Sequence, residues 1–308
     1  MTGRSDVFAL TRLARILSLM ALVIAALAIA GCGSDDDAAD EGAGSTGEIA
    51  AVSVDQAAAD LVPQAIRDEG TLTVAMDASY APNEFFDEDG KTIIGMDSDL
   101  ATAIGQTLDL DVEKQNVTFD AILPGLAADK YDIAISSFTD TKEREQTVDM
   151  VTYFTAGTGF YTNAENPTDV ETVADLCGKT VAVQKGTVQQ EDVEAQNEKC
   201  DKPINVEVFS EQTDVDLAIT SGRADVALAD SPVAAYAVKQ SDGRLASTGK
   251  DYDSAPYGIA VNKDNGMTEA IQKAVQSLID NGTYAEILEK WGVSGGAIDE
   301  SKINDGVE

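Results

Sequence analysis

Histidine is absent from this chain. That absence removes Ser-His-Asp and Cys-His catalysis and every histidine-ligated metal site, so an enzyme built here has to work with carboxylates, lysine or tyrosine. Basic residues are scarce too: 21 Lys and Arg stand against 55 Asp and Glu, a formal net charge of -34. The acids are spread through every segment, which makes the surface broadly negative and repels nucleic acid and anionic membrane. Long hydrophobic runs are missing apart from one near the N-terminus, and that one is shorter than the roughly 20 residues needed to span a bilayer.

What is present begins with an address. Arg4, Arg12 and Arg15 precede an apolar stretch over 16–30, followed by Gly31 and Cys32. A basic head, a short apolar middle and small residues at the cut are the layout of a secretory signal peptide over 1–31. The stretch "IAGC" (29–32) resembles the lipobox of bacterial lipoproteins, which implies cleavage before Cys32 and lipidation of its sulfur; more than one acyl chain then holds a protein stably on a membrane. Removal of 1–31 takes three of the 21 basic residues and one of the 55 acidic ones, leaving 18 against 54. Next comes "GSDDDAADEGAGSTGE" (33–48), with no large apolar side chain to bury. A flexible acidic tether is expected over 32–60. With Cys32 lipidated, Cys177 and Cys200 remain as an even pair in an oxidising compartment, and a disulfide between them is expected.

Strand and helix patterns alternate from about Leu61 onward, the signature of an α/β fold with mainly parallel sheets. "TLTVAM" (71–76) reads as a buried strand, "DSDLATAIGQTL" (97–108) as an amphipathic helix and "DIAIS" (132–136) as a strand. "DEDG" (87–90) has the look of a calcium loop, but the twelfth position would be Ser98 rather than Glu; a hairpin turn between Phe85–Phe86 and Ile93–Ile94 suits it better. The pattern then repeats: "KTVAV" (179–183) echoes "LTVAM", and "ITSGRADVALAD" (219–230) lies over "LAADKYDIAISS" (126–137). Ligands of open α/β sheets bind beyond the carboxyl ends of the strands. The matched ends are Ser136 and Ser137 in one half and Asp230 in the other. Hydroxyls followed by Arg144 would face a carboxylate, a pairing that suits a zwitterionic α-amino acid.

From about Leu72 to Trp291 the chain resembles the family 3 bacterial solute-binding proteins, the polar amino-acid class that serves ABC importers. The resemblance rests on "GTLTVAMDASYAPNEF" (70–85), "GMDSDLATAIG" (95–105), "FDAILPGLAADKYDIAISSFTDTKER" (119–144), "DLCGKTVAVQKGTVQ" (175–189), "GRADVALAD" (222–230) and "NGTYAEILEKWG" (281–292). It implies a type II periplasmic binding protein fold: two Rossmann-like lobes with mainly parallel central sheets, joined by hinge strands near 154–158 and 253–257. Lobe 1 would comprise 61–156 and 256–298, lobe 2 157–255, with a C-terminal tail over 299–308. The implied protein is not an enzyme and uses no cofactor or metal. It is a monomer, lipid-anchored on the outer face of the cell membrane, with a permease and its ATPase as partners. The ligand class is a polar L-amino acid: glutamine-like, glutamate, asparagine or basic. The same fold hosts periplasmic cyclohexadienyl (arogenate) dehydratases, and a sensor working through a separate signalling partner is a third possibility.

Arg144 is the one arginine after the signal peptide that follows a strand end; Arg67, Arg223 and Arg244 do not. Its planar fork grips a carboxylate bidentately, and the resemblance makes it the α-carboxylate clamp. Ser137 and Thr139 would add hydroxyl and backbone contacts, although Thr139 or Thr141 also suits a helix N-cap, with free N–H groups welcoming an anion. Val188 would donate its backbone N–H from the "KGTVQ" turn. Asp230 would take the α-ammonium, although "DSP" (230–232) also reads as a helix start. Tyr80 and Phe119 would sandwich the ligand side chain, and Asp77 would accept from an amide or a cation. Asp140, where relatives often carry an apolar residue, finds no role.

Overall fold

A long antiparallel pair of strands forms the axis of the molecule. In the computed structural model, residues 51–308 are described; the signal peptide, Cys32 and the expected tether up to residue 50 lie outside them. Strands β1 (Thr71–Met76), β5 (Asp111–Asn116) and β6 (Ile133–Ala134) run parallel, as do β8 (Thr180–Gln184), β9 (Asn205–Phe209) and β10 (Val226–Asp230). Between the two parallel groups lie β7 (Asp149–Asn163) and β11 (Leu245–Val261), giving one sheet in the order β5-β1-β6-β11-β7-β10-β8-β9. The pairing of β7 with β11 is antiparallel, with register breaks between Thr248 and Tyr252, Tyr252 and Ala255, and Tyr257 and Gly258. A small antiparallel sheet joins β2 (Ser79–Tyr80), β3 (Glu84–Phe86) and β4 (Ile93–Ile94), with Phe85 opposite Ile94 and Phe86 opposite Ile93. The "DEDG" stretch is the hairpin connection, and Asp89 caps it by accepting from the N–H groups of Lys91 and Thr92 at 2.8 Å each.

The α-helices of the described residues are α1 (Gln56–Ala59), α2 (Gln64–Glu69), α3 (Met96–Thr107), α4 (Phe119–Leu126), α5 (Val188–Asn197), α6 (Gln212–Thr220), α7 (Ser231–Gln240), α8 (Thr268–Asn281) and α9 (Thr283–Trp291). Their sequences show why they fold. Helix α8 buries Ala270, Ile271, Ala274, Val275 and Leu278, one stripe at helical spacing. Helix α3 places Asp97 and Asp99 in its first turn, where negative charge favours the helix dipole.

The buried apolar side chains gather into two bodies. One takes residues up to Ala156 and from Tyr257 onward. The other takes residues between Phe160 and Tyr252, with Tyr80 packed into it from the first part of the chain. Phe85 also reaches between them, its ring centroid 5.7 Å from Trp291 edge-on and 6.2 Å from Tyr236 of α7. The indole N–H of Trp291 donates to Asp99 at 2.7 Å. Cys177 and Cys200 are disulfide-bonded, as expected, with Cα atoms 5.4 Å apart.

One expectation needs correction. The tether does not extend to residue 60: Asp55 donates its N–H to the Thr107 carbonyl at 2.9 Å and caps α1, whose Ala58 is fully buried in the first core. Ala58 packs beside Val62 and Ile66, large apolar side chains of a kind that 33–48 lacks, so the body begins earlier. The C-terminal tail at 299–308 bridges to Thr141 through Val307 and to Val151 through Ile303.

Candidate functional site

The carboxyl ends of β1, β6, β8 and β10 converge, and the side chains just beyond them line one cleft: Tyr80, Phe119, Ser137, Thr139, Arg144, Gln184, Thr187, Val188, Gln189 and Asp230. Its cavity volume is about 10 Å³, room for about one water. Seven of the eight residues expected from the sequence are in this lining; Asp77 stands immediately behind it.

Arg144 begins a three-residue 3₁₀ turn, Arg144–Gln146. Its Nη1 donates to the Thr139 carbonyl at 2.8 Å and its Nη2 to the Gly186 carbonyl at 3.1 Å. The left-handed φ of Gly186, +80°, is what turns that carbonyl at the end of β8. The guanidinium carbon also lies 5.7 Å from the Phe119 ring centroid and 5.4 Å from that of Phe138, and burial pulls its pKa down. Among the described residues Arg144 has no acidic ion-pair partner.

Asp230 is the opposite pole. It ends β10 and is the N-cap residue of α7, with Pro232 in the first turn, yet its side chain makes no cap hydrogen bond. The carboxylate turns into the cleft instead, 6% exposed. It accepts from the Gln189 amide and the Tyr80 hydroxyl at 2.9 Å each. Burial raises its pKa, against the lowering effect of Tyr257, Tyr80 and Gln189 nearby. Tyr80 keeps its proton, because burial and the Asp230 charge push its own pKa well above the usual value. Asp77, 3% exposed, has its pKa raised by burial. Its Oδ2 accepts from the Phe119 N–H (2.9 Å) and the Gln184 amide (2.7 Å), and its Oδ1 from the Ser79 N–H (3.1 Å). The Ser79 hydroxyl also acts on Asp77, and with these donors it lowers the pKa that burial raises.

Val188 is the first residue of α5, where N–H groups have no carbonyl partner within the helix. Thr187 caps that helix by accepting from the Gln190 N–H and donates its hydroxyl to the Gln184 carbonyl.

Ser137 differs from its expected role. Its φ is +52°, and its N–H donates to Asp97 at 2.8 Å while its hydroxyl contacts Asn83, Asp97 and Glu84. These groups are committed to a buried acid cluster behind the cleft. Glu84 and Asp97 are both fully buried; Ser136 donates to Glu84 at 2.7 Å and Tyr153 to Asp97 at 2.8 Å. Burial, with Asp97 alongside, pushes the Glu84 pKa well above the carboxylate range, and burial raises Asp97 to about 6.

The expected helix start at Thr139 or Thr141 is also absent. Thr141 Oγ1 does accept from the Arg144 N–H at 3.2 Å, but the neighbouring N–H groups are taken. Asp140 donates to the Pro256 carbonyl and Lys142 to the Val307 carbonyl, at 2.8 Å each, so no free anion-binding helix end exists there. Gln184, Thr187 and Gln189 escaped notice because uncharged polar residues carry no sign to match; only their position beside the "KGTVQ" turn marks them.

The cleft thus holds one cation and two carboxylates taken out of water without ionic partners. The match to the family model "Bacterial extracellular solute-binding proteins, family 3" spans residues 72–294. The arginine-binding protein ArgT of Corynebacterium glutamicum is 37% identical over 252 residues, 80% of this chain and 82% of that protein. An ancestral arginine-binding protein bound to arginine matches at a TM-score of 0.68 with 36% identity, covering 72% of this chain and 98% of that one. Holo ArgBP from T. maritima matches at 0.67 with 35% identity, covering 75% and 100%. The ends of the parallel strands, the Arg144–Asp230 cleft and these matches lead to one conclusion: the chain belongs to the bacterial extracellular solute-binding proteins, family 3.

Proposed function

We propose that this protein captures a cationic L-amino acid, arginine first among them, and delivers it to an ABC import permease. The observation that carries this is the charge balance of the cleft. Arg144 takes the α-carboxylate, Asp230 the α-ammonium, and the charge of Asp77 the side-chain cation, so a ligand with two positive groups and one negative neutralises all three. Tyr80 and Phe119 offer aromatic faces to a planar guanidinium. The arginine-binding relatives support the same ligand and favour a binding protein over a dehydratase.

The small cavity means that an amino acid enters only if the walls part. The walls belong to the two apolar bodies, here read as lobe 1 (61–156 and 256–298) and lobe 2 (157–255), hinging where β7 and β11 lose register. Sequence alone supports the anchor: "IAGC" and the acidic stretch after it hold the monomeric body at the outer face of the membrane through lipidated Cys32, once residues 1–31 are removed.

Titration calorimetry with L-arginine, L-lysine, L-glutamine and L-glutamate tests the ligand. Arginine is expected to bind tightest and glutamate to give no heat; equal or tighter glutamate binding would overturn the reading. Asp77→Asn is expected to weaken arginine by about 2 kcal/mol, the scale of a hydrogen bond to a charged group, while leaving glutamine within about 0.5 kcal/mol. A uniform loss for both ligands would remove Asp77 from the side-chain subsite.

A further inference from the structure

Asp140 is fully buried, and neither of its carboxylate oxygens has a hydrogen-bond partner among the described residues. It lies under the last eight residues of the chain. There Lys302 and Thr152 exchange hydrogen bonds at 2.8 Å, and the Asn304 N–H donates to the Met150 carbonyl at 2.8 Å while its side chain accepts from the Met150 N–H at 2.9 Å. The Val307 N–H donates to the Asp140 carbonyl at 3.0 Å, and the Lys142 N–H to the Val307 carbonyl at 2.8 Å. Glu145 accepts from the Gly306 N–H at 2.9 Å. The segment therefore ties β7 to the turn that carries Arg144. Gly306 crosses so close that a Cβ there would lie 2.5 Å from Asp140 Oδ1 and 2.8 Å from its carbonyl carbon.

We propose that residues 301–308 are a strap that holds the Arg144 turn in its ligand-gripping position, and that a proton shared between Asp140 and Glu145 beneath it sets how firmly the strap holds. The part that concerns ligand rests on the amino-acid reading above. Two carboxyl groups packed together cannot both ionise without cost; an Asp140 hydroxyl directed at Glu145 accounts for one of the oxygens that otherwise lack partners, and the Asp305 backbone N–H stands near the same carboxyl. Burial and the Glu145 charge raise Asp140 to about 7, whereas hydrogen bonds from Lys142 and Gly306 hold Glu145 below its usual value despite the opposing effect of burial. The other groups around Asp140 are Lys142 and Arg144 on its own turn, Lys302 and Asp305 on the strap, which pair at 3.1 Å, Asp149 on β7, and Tyr257 on β11. Ionisation of Asp140 puts a second negative charge under the strap and an uncompensated one near Arg144. Both weaken the grip on a carboxylate.

The test combines hydrogen–deuterium exchange with L-arginine calorimetry on the full chain at pH 6 and pH 8. Gly306→Val is expected to speed exchange, corrected for intrinsic rate, at the amides of Lys142, Met150 and Thr152, which donate to the strap, and to weaken L-arginine about tenfold. Truncation after Glu300 should do the same if the valine variant does not fold. Asp77 and Asp230 titrate in the opposite sense, since their ionisation favours a cation, so the informative quantity is the ratio of Kd at pH 8 to Kd at pH 6. That ratio is expected to be several-fold larger in the wild type than in Asp140→Asn, which cannot ionise. Equal ratios would overturn the proton's role, and unchanged exchange at those amides with unchanged Kd would overturn the strap. A wild type that ignores L-arginine at both pH values would overturn the ligand reading instead, while the exchange result still decides the strap.

Discussion

Replacing Arg144 with alanine is expected to reduce L-arginine affinity by about 3–5 kcal/mol, at least a hundredfold, with the fold intact. The loss exceeds that of an ordinary hydrogen bond because the ligand carboxylate would enter a site where its remaining donors are neutral. Thr139 and Gly186 would keep two carbonyl oxygens aimed at the space left behind, and carbonyls repel a carboxylate. Arg144→Lys should recover only part of the affinity, because one ammonium cannot serve both carbonyls and a bidentate carboxylate at the same time. Calorimetry gives the affinities and thermal unfolding confirms the fold; an unchanged Kd would displace Arg144 from the site.

The acid cluster behind the cleft yields the second large effect, in stability. Glu84 and Asp97 both have pKa values raised in the folded protein, chiefly by burial. A carboxyl of this kind contributes stability that is fully present below its unfolded pKa and is lost as pH rises through the folded value. The loss runs at about 1.4 kcal/mol per pH unit and group, over the range where the folded carboxyl keeps its proton and the unfolded one has released it. For Asp97 that range reaches from about 4 to about 6, and Glu84, raised well above its usual value, adds a loss of the same sign. The protein is therefore expected to melt at higher temperature at pH 5 than at pH 8. Glu84→Gln, whose amide can donate to Asp97 and accept from Ser136, should flatten the dependence. Parallel melting curves for wild type and variant across that range would refute the assignment.

Much of the fold was legible because charge and apolar periodicity act locally. "TLTVAM" became β1 at the expected residues, and the "DEDG" turn connects the two strands predicted for it. The echo of "DIAISS" by "DVALAD" pointed to Asp230 and to the strand end that leads into the Arg144 turn, since matched strands in repeated α/β units end on the same side of a sheet. What stayed hidden depended on partners far away in the chain. Thr139 to Lys142 has the composition of a helix cap, yet Pro256 and Val307 take the N–H groups that a cap would leave open. Ser137 has the chemistry of a ligand contact, but Glu84 and Asp97 occupy its donors from more than 39 positions away. Asp140 had no assignable role from its neighbours in sequence because what covers it is the chain's own C-terminus.

Trp291 is the only tryptophan in the sequence. Its indole is anchored to Asp99 of α3, and the Phe85 ring packs against both it and Tyr236 of α7. Any swing that carries α7 away from β3 alters the packing around that single fluorophore. The protein accordingly contains a built-in optical gauge: indole emission followed during an L-arginine titration registers the parting and closing of the two bodies without a dye, and stopped-flow mixing extends the same signal to the rate of closure.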